Sequence, residues 1–403
     1  MVVYNIKIIK DMKKYIVSCI LCSMLASCNE VTMSPVDKDT EAPHIITNVN
    51  VESIPGGAFI KYDLPDDPDL LYVKAAYKLD NGELQVVNAS CLDKKLKVEG
   101  FADVKEYELF LTSVDRSGNE SEAVVVKFTP QTPPVISVKE TILVRPDFGG
   151  VNLTWNNETE APLAIIISIK ERDSDEYKIA DTYYTSMKNG AYTTRGLESV
   201  ETDFKIEVRD KWGNYSDAIK TKQTPLYEER LDRKNFKSLG GEYANNVTDH
   251  GNLPKLWDED YENNVFGGTK VPWYVSFDMG VKARLSRIVL WQYSWASYDY
   301  AHYYAGSNMR KCRIYGSNDP TIDMSGWTLL MECEIIKPSG LPIGIGRQYQ
   351  SDEDFDIAHN KGHEFVVPLD APAVRYIRIE GIESWEGGGL GVPGEMHIFG
   401  DGR

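Results

Sequence analysis

Val114-Asp115-Arg116-Ser117-Gly118-Asn119-Glu120-Ser121 recurs 95 residues later as Arg209-Asp210-Lys211-Trp212-Gly213-Asn214-Tyr215-Ser216, and Thr129-Pro130 returns at the same offset as Thr224-Pro225. A repeat of this length filled with short alternating segments is the pattern of tandem β-sandwiches. In the first copy the expected strands are 45–51, 58–62, 72–79, 84–87, 95–98, 107–114 and 124–128. In the second they are 135–141, 151–155, 164–170, 177–183, 192–197, 204–208 and 218–221. Tyr107, Leu109 and Leu111 alternate with Glu108, Phe110 and Thr112, so one face of that strand can pack inward. Gly118 and Gly213 suit a turn needing positive φ, while Asp115, Asn119, Asp210 and Asn214 can bond local amides. Their expected role is structural. Pro130, Pro133 and Pro134 stiffen the junction between the copies.

Over roughly residues 43 to 225 the chain resembles the fibronectin type III fold, whose penultimate strand often runs into an Asp-x-x-Gly-Asn turn. The expected domains are 43–131 and 132–225, both read as spacers, followed by a third from 226 to 403. From Leu226 onward aromatics and glycine loops increase. Leu256-Trp257-Asp258-Glu259-Asp260-Tyr261 is followed by Pro272-Trp273-Tyr274-Val275-Ser276-Phe277-Asp278-Met279-Gly280. Then come Leu285-Ser286-Arg287-Ile288-Val289-Leu290-Trp291, Arg313-Ile314-Tyr315-Gly316-Ser317-Asn318-Asp319, Val374-Arg375-Tyr376-Ile377-Arg378-Ile379 and Glu395-Met396-His397-Ile398-Phe399-Gly400. Val275, Phe277 and Met279 alternate with polar neighbours, and Ile288 and Leu290 alternate with Val289 and Trp291, as strands of a two-sheet sandwich do.

In this order the motifs resemble the discoidin, or coagulation-factor C-terminal, family of galactose-binding-like jelly rolls, which includes family 32 carbohydrate-binding modules. The whole chain is therefore expected to be all-β: two immunoglobulin/fibronectin III-like sandwiches followed by a discoidin-like jelly-roll sandwich. Family members often hold structural Ca2+ between an acidic loop and a late glutamate. The matching positions are Asp258, Asp260 and Glu395, with Asn263 or Asn264 beside them, and a solvated acidic turn is the alternative. Hard cations need six to eight oxygens, which loop carbonyls would complete.

At the amino end Lys7, Lys10, Lys13 and Lys14 precede an apolar run from Tyr15 to Ala26, which closes on Leu25-Ala26-Ser27-Cys28. A basic stretch, a short apolar stretch and small residues at a cut site describe a secretory signal peptide, too short to span a bilayer. Met12 offers a second start. Leu-Ala-Ser-Cys also resembles the bacterial lipobox, which implies cleavage at 1–27 and lipid on Cys28. An ordinary signal with an incidental cysteine is the alternative. Residues 28–42 are polar and read as a flexible tether. The complete layout resembles Bacteroidetes-type lipoproteins of polysaccharide-utilisation systems, which implies a lipid-anchored place at the outer membrane, on the cell surface and beside a glycan importer.

The formal charge is −17, and the signal segment carries away four lysines against Asp11, so the mature chain is more acidic still. Such a surface repels phosphate backbones, and nucleic acid is not an expected partner. Neutral ligands, or ligands held through calcium, remain open, and the resemblance implies a polysaccharide or oligosaccharide. Beyond the signal only Cys91, Cys312 and Cys333 remain, which is neither a disulfide framework nor a zinc site. Cys312 and Cys333 fall at inward parity in two expected strands, as a bridge or as two free core thiols. His359 and His363 read as surface residues of a loop.

Trp291, Tyr293, Trp295, Tyr298, Tyr300, Tyr303 and Tyr304 fall within 14 residues, with His302 among them, against 11% aromatics in the chain. Exposed rings on a polar loop suit the C–H faces of pyranoses. A satellite cluster that packs the loop onto the sandwich is the equal alternative. Trp385 and Glu386, before three glycines, form a second candidate wall, and the loop from Pro338 to Phe355, with Arg347 and Tyr349, a third. That loop is long for the family. The expected ligand-binding residues are thus Trp295, Tyr298, Tyr300, His302, Tyr303, Arg347, Trp385 and Glu386. No catalytic residue is expected. A glycosidase needs two carboxylates about 5 to 10 Å apart, for which only Glu386, Asp352 and Asp354 offer themselves. A structural or adhesive subunit that binds a protein partner is the other alternative to a glycan binder.

Overall fold

The computed structural model describes residues 39–403 apart from 173, 249, 262–266, 295–301 and 388–392. The chain divides into two compact units, one reaching Ser137 and including Asp210–Tyr215, the other holding Val138–Arg209 and Ser216–Arg403.

In the first unit alternation produces seven strands: β1 (Thr47–Ile54), β2 (Gly57–Asp63), β3 (Leu70–Lys78), β4 (Leu84–Ser90), β5 (Lys95–Glu99), β6 (Tyr107–Asp115) and β7 (Val124–Phe128). They form two sheets, ordered β1-β2-β5 and β4-β3-β6-β7. Leu109 and Leu111 are fully buried, whereas Phe110 between them is 45% exposed. Each buried aliphatic side chain contributes about 1.5–3 kcal/mol. Trp212, from the second repeat turn, packs against this core.

Both repeat turns are built alike. Asn119 N and Nδ2 donate to the two carboxylate oxygens of Asp115, each at 2.9 Å, and Asn214 does the same to Asp210. Gly118 and Gly213 have φ of 87° and 81°, and Ser121 and Ser216 each accept a strand amide at 3.0 Å. Burial alone would raise the Asp115 pKa, but the bonds from Asn119, Gly118 and Ser117 outweigh it and hold the carboxyl below its ordinary value.

Residues 135–141, expected as a strand, are instead all but the first residue of helix α1 (Pro134–Thr141). Proline at the first helical position is pre-organised for a helix start. Val135, Val138 and Ile142 then bury one side. The second sandwich begins one segment later with β8 (Leu143–Asp147), followed by β9 (Gly150–Asn156), β10 (Leu163–Lys170), β11 (Tyr177–Thr185), β12 (Asn189–Thr193), β13 (Thr202–Arg209) and β14 (Ile219–Gln223). Its sheets are β12-β9-β8 and β11-β10-β13-β14.

The C-terminal sandwich belongs to the same unit. Four two-residue strands, β15 (Glu229–Arg230), β16 (Lys237–Ser238), β17 (Val247–Thr248) and β18 (Gly267–Gly268), precede β19 (Trp273–Gln292), β20 (Met309–Ser317), β21 (Thr328–Glu334), β22 (His363–Val366), β23 (Val374–Ser384) and β24 (Pro393–Asp401). The two expected strands 275–279 and 288–291 are one. The first half of β19 pairs with β23 and its second half with β24, with a register break between Asp278 and Ala283. A single strand thus turns the corner between two sheets. Val275, Phe277 and Met279 are fully buried, and so is Trp273, whose ring occupies the space a Cβ at Gly381 would need. Val289 and Trp291 are buried as well, at 5% and 6%, and the turn at Gly362 before β22 packs against both. Glu228 ties this sandwich to the preceding one: its carboxylate accepts Arg195 and Arg287, each at 3.2 Å, and Ser286 Oγ at 2.5 Å.

Candidate functional site

The loops that follow β19, β21 and β23 carry every ligand-binding residue expected from the sequence. Trp295, Tyr298 and Tyr300 lie outside the described residues. Among the flanking residues, Asn308 Nδ2 donates to Tyr293 O and His302 O, both at 2.8 Å, and His302 N donates to Ser294 Oγ at 3.2 Å. His302 is half-buried.

Tyr303 and Tyr304 are core residues. They are 5% and 0% exposed and form a satellite cluster with Ile335 and Ala358, against which Phe355, Phe365 and Trp385 pack. Tyr303 Oη meets His359 Nδ1 at 2.8 Å, and Tyr304 Oη donates to Asp354 O at 3.0 Å. So placed, Tyr303 supports the wall of the site instead of offering it a face. His363, expected at the surface, is buried opposite Gln292 at 2.9 Å, and burial pushes its pKa down to about 4.

The 338–355 loop is held from within. Lys337 Nζ donates to the carbonyls of Leu341, Pro342 and Tyr349. Arg347 donates to Gln350 O and Ser351 O at 2.6 and 3.0 Å, pairs with Asp352, and lies 5.4 Å over Phe355. It shapes the loop. Asp354, fully buried at the end of the short helix α2 (Asp352–Phe355), accepts the amides of Ser339 and Ser351 and the Ser339 hydroxyl. Burial would raise its pKa, but these bonds outweigh it and keep the carboxyl ionised below the ordinary value.

Trp385 is half-buried and Glu386 exposed. The indole meets Tyr304 edge-on at 5.6 Å, with the Arg310 guanidinium 5.2 Å from its ring. Met309 pairs with Ser384 across the sheet, and Trp385 N donates to Asn308 O at 3.1 Å, so residues 308–310 and 384–385 make one corner. Asn308 Oδ1, Arg310 Nε, Ser384 Oγ and Trp385 Nε1 are all buried there without a hydrogen-bond partner. Buried polar groups are nearly always bonded. Four unbonded atoms gather at this corner. Sequence reasoning selected Trp385 and missed Asn308, Arg310 and Ser384, for which no spacing or composition cue exists.

The residues matched to a calcium site are only partly assembled. Glu395 is fully buried, accepts Glu259 N at 3.1 Å through Oε2, and has no hydrogen bond to Oε1, which lies 3.5 Å from His397 Nε2. Burial, with a further push from Asp258, raises its pKa to about 8. A buried carboxylate oxygen lacking a donor fits a cation, with Asp258 as the neighbouring acid. Asp258 and Asp260 are both exposed, and the three carboxylates do not gather their oxygens within 4.8 Å; among the described residues only Asp39, Asp69 and Asp115 do.

Three family models match, each described as a domain of unknown function: DUF4959 over residues 43–130, DUF5126 over 131–234 and DUF5000 over 257–400. Among solved structures, a SusE-like protein is 34% identical over 67% of this chain and 100% of its own, with a TM-score of 0.41. The chain belongs to the SusE-like proteins. The identity over that protein's entire length, and not the superposition, carries the assignment. This SusE-like chain is also similar to a two-domain fibronectin type III segment of chicken tenascin, at 12% identity over 44% and 98% of the two chains with a TM-score of 0.22. A further similarity is to the CBM32 of AlyQ, solved with 4,5-unsaturated mannuronic acid, at 15% identity over 42% and 97% with a TM-score of 0.26. Neither adds to the assignment. No curated protein matches the sequence.

Proposed function

We propose that this SusE-like chain is a non-catalytic glycan-binding accessory of polysaccharide capture, anchored at the outer membrane through lipid on Cys28, and that it holds its ligand at the corner formed by Asn308, Arg310, Ser384, Trp385 and Glu386. The observation that carries the reading is the set of four buried polar atoms left without partners, the indole N–H of Trp385 and three others near it. An amide oxygen, a hydroxyl, an indole N–H and a guanidinium N–H complement sugar hydroxyls, which both donate and accept, directly or through a bridging water. A half-buried tryptophan adds an apolar face and the exposed Glu386 an acceptor at the rim.

Binding without hydrolysis is supported by the carboxylates themselves. Asp354 spends its oxygens on loop amides and a hydroxyl, and Asp352 is paired with Arg347. Neither is set up as the partner acid that Glu386 would need.

The test is retention of the chain on a panel of immobilised polysaccharides, with reducing ends assayed in parallel. Retention on a glycan with no new reducing ends is the expected result. Release of reducing ends would overturn the non-catalytic reading, and retention only on a protein partner would favour the adhesive alternative.

A further inference from the structure

Cys312 and Cys333 are direct cross-strand partners in the β20–β21 pair, each 3% exposed and each a free thiol. Directly opposed residues in an antiparallel pair have Cα atoms about 4.5–5.5 Å apart, inside the roughly 4.4–6.8 Å that a disulfide spans. Both side chains enter the same apolar core. β21 is the outermost strand of its sheet. It leads through Ile335, whose amide bonds Arg310 O at 2.8 Å, into Lys337 and the loop that walls the candidate site. Cys91, the other described cysteine, lies in the other unit.

We propose that Cys312 and Cys333 are a disulfide-forming pair, closed while the C-terminal sandwich folds in an oxidising compartment, which staples the edge strand β21 to β20. The oxidant is a disulfide, either of a small thiol such as glutathione or of an oxidoreductase. One protein thiolate attacks it, forming a mixed disulfide and expelling one thiolate. The second protein thiolate then attacks the protein sulfur of that mixed disulfide and expels the other. Two protein thiols become one disulfide, and the oxidant becomes two thiols carrying the two electrons and two protons. Timing follows from burial. The thiolate is the nucleophile, and the neighbouring Cys333 together with burial pushes the Cys312 thiol well above its ordinary pKa in the folded domain. Once folded, the reduced pair is out of reach of the oxidant, so closure belongs to folding.

The experiment needs no substitution. The full chain is refolded from denaturant in mixed reduced and oxidised glutathione, remaining thiols are alkylated under denaturing conditions, and peptides are mapped by mass. Most molecules should link Cys312 to Cys333, and the unfolding transition of the C-terminal sandwich should lie about 5 °C or more above that of the reduced chain. Chain folded under reductant and then moved to the same buffer should form the link at least about tenfold more slowly. Alkylation of both cysteines after oxidative refolding, or linkage of either to another cysteine, would overturn the pairing. Equal rates in the folded and refolding chain would overturn the timing.

Discussion

Glu395 shows how a single buried side chain couples pH to the stability of this domain. Its folded pKa of about 8 lies above the ordinary 4.5, so the folded state holds a proton that the unfolded chain has already released. The stability this confers is full below about pH 4.5 and is lost as pH rises through about 8, by up to about 1.4 kcal/mol per pH unit. Without divalent ions, the melting temperature of the chain should therefore fall between about pH 6.5 and 8, above the range in which the buried histidines titrate, and the Glu395→Gln variant should lose that slope. A bound calcium ion would favour the ionised carboxylate, so adding it should raise the wild-type melting temperature at pH 8 and leave the variant unchanged. An identical pH slope in both proteins would mean that Glu395 is not the group responsible, and a calcium response that survives the substitution would place the ion elsewhere. His363 and His397 act with the opposite sign. Burial lowers both to about 4, and the stability they contribute is lost as pH falls from about 6.5 towards 4.

At the scale of elements, what the sequence showed and what it hid follow from periodicity. The seven strands of the first sandwich were readable because Tyr107, Leu109, Leu111 and their counterparts alternate over a half-buried sheet. Residues 135–141 resemble a strand in sequence because Val135, Ile136, Val138 and Thr141 are β-branched, while the proline that starts the helix precedes them. The aromatic run could not be divided in advance. A loop has no period, and only the fold shows that Tyr303 and Tyr304 face Ile335 and Ala358. Trp385 and Glu386 were legible at the candidate site, whereas Asn308 and Ser384 look ordinary until their partners are sought. The 338–355 loop, held by Lys337 and Asp354, should behave as one rigid element. Asp354→Ala leaves two amides and a hydroxyl unpaired and should cost about 3 kcal/mol. Hydrogen exchange should then speed up across 339–351 and remain slow at 275–279. Equal acceleration in both segments would show that the loop is not a separate element held by this carboxylate.

The whole molecule combines an acidic surface, two fibronectin-like sandwiches and a C-terminal sandwich whose loops carry the proposed site. The basic and apolar run before Leu25-Ala26-Ser27-Cys28 argues for export and lipid attachment, and Cys28→Ala should abolish labelling by radioactive palmitate and release the protein from the membrane fraction. Undiminished labelling would remove the anchor from the account. With a charge of −17, a glycan held by an indole and neutral hydrogen bonds should be nearly insensitive to salt, whereas a charge-driven complex would weaken as screening increases. The central claim is that the corner around Trp385 holds the glycan, and it is tested most directly by titration calorimetry of the wild type and Trp385→Ala against the glycan that retains the chain, at low and high salt. The account predicts that the variant keeps its fold and loses about 1–3 kcal/mol of affinity at both salt concentrations. Unchanged affinity per folded molecule, with only a lowered melting temperature, would contradict it.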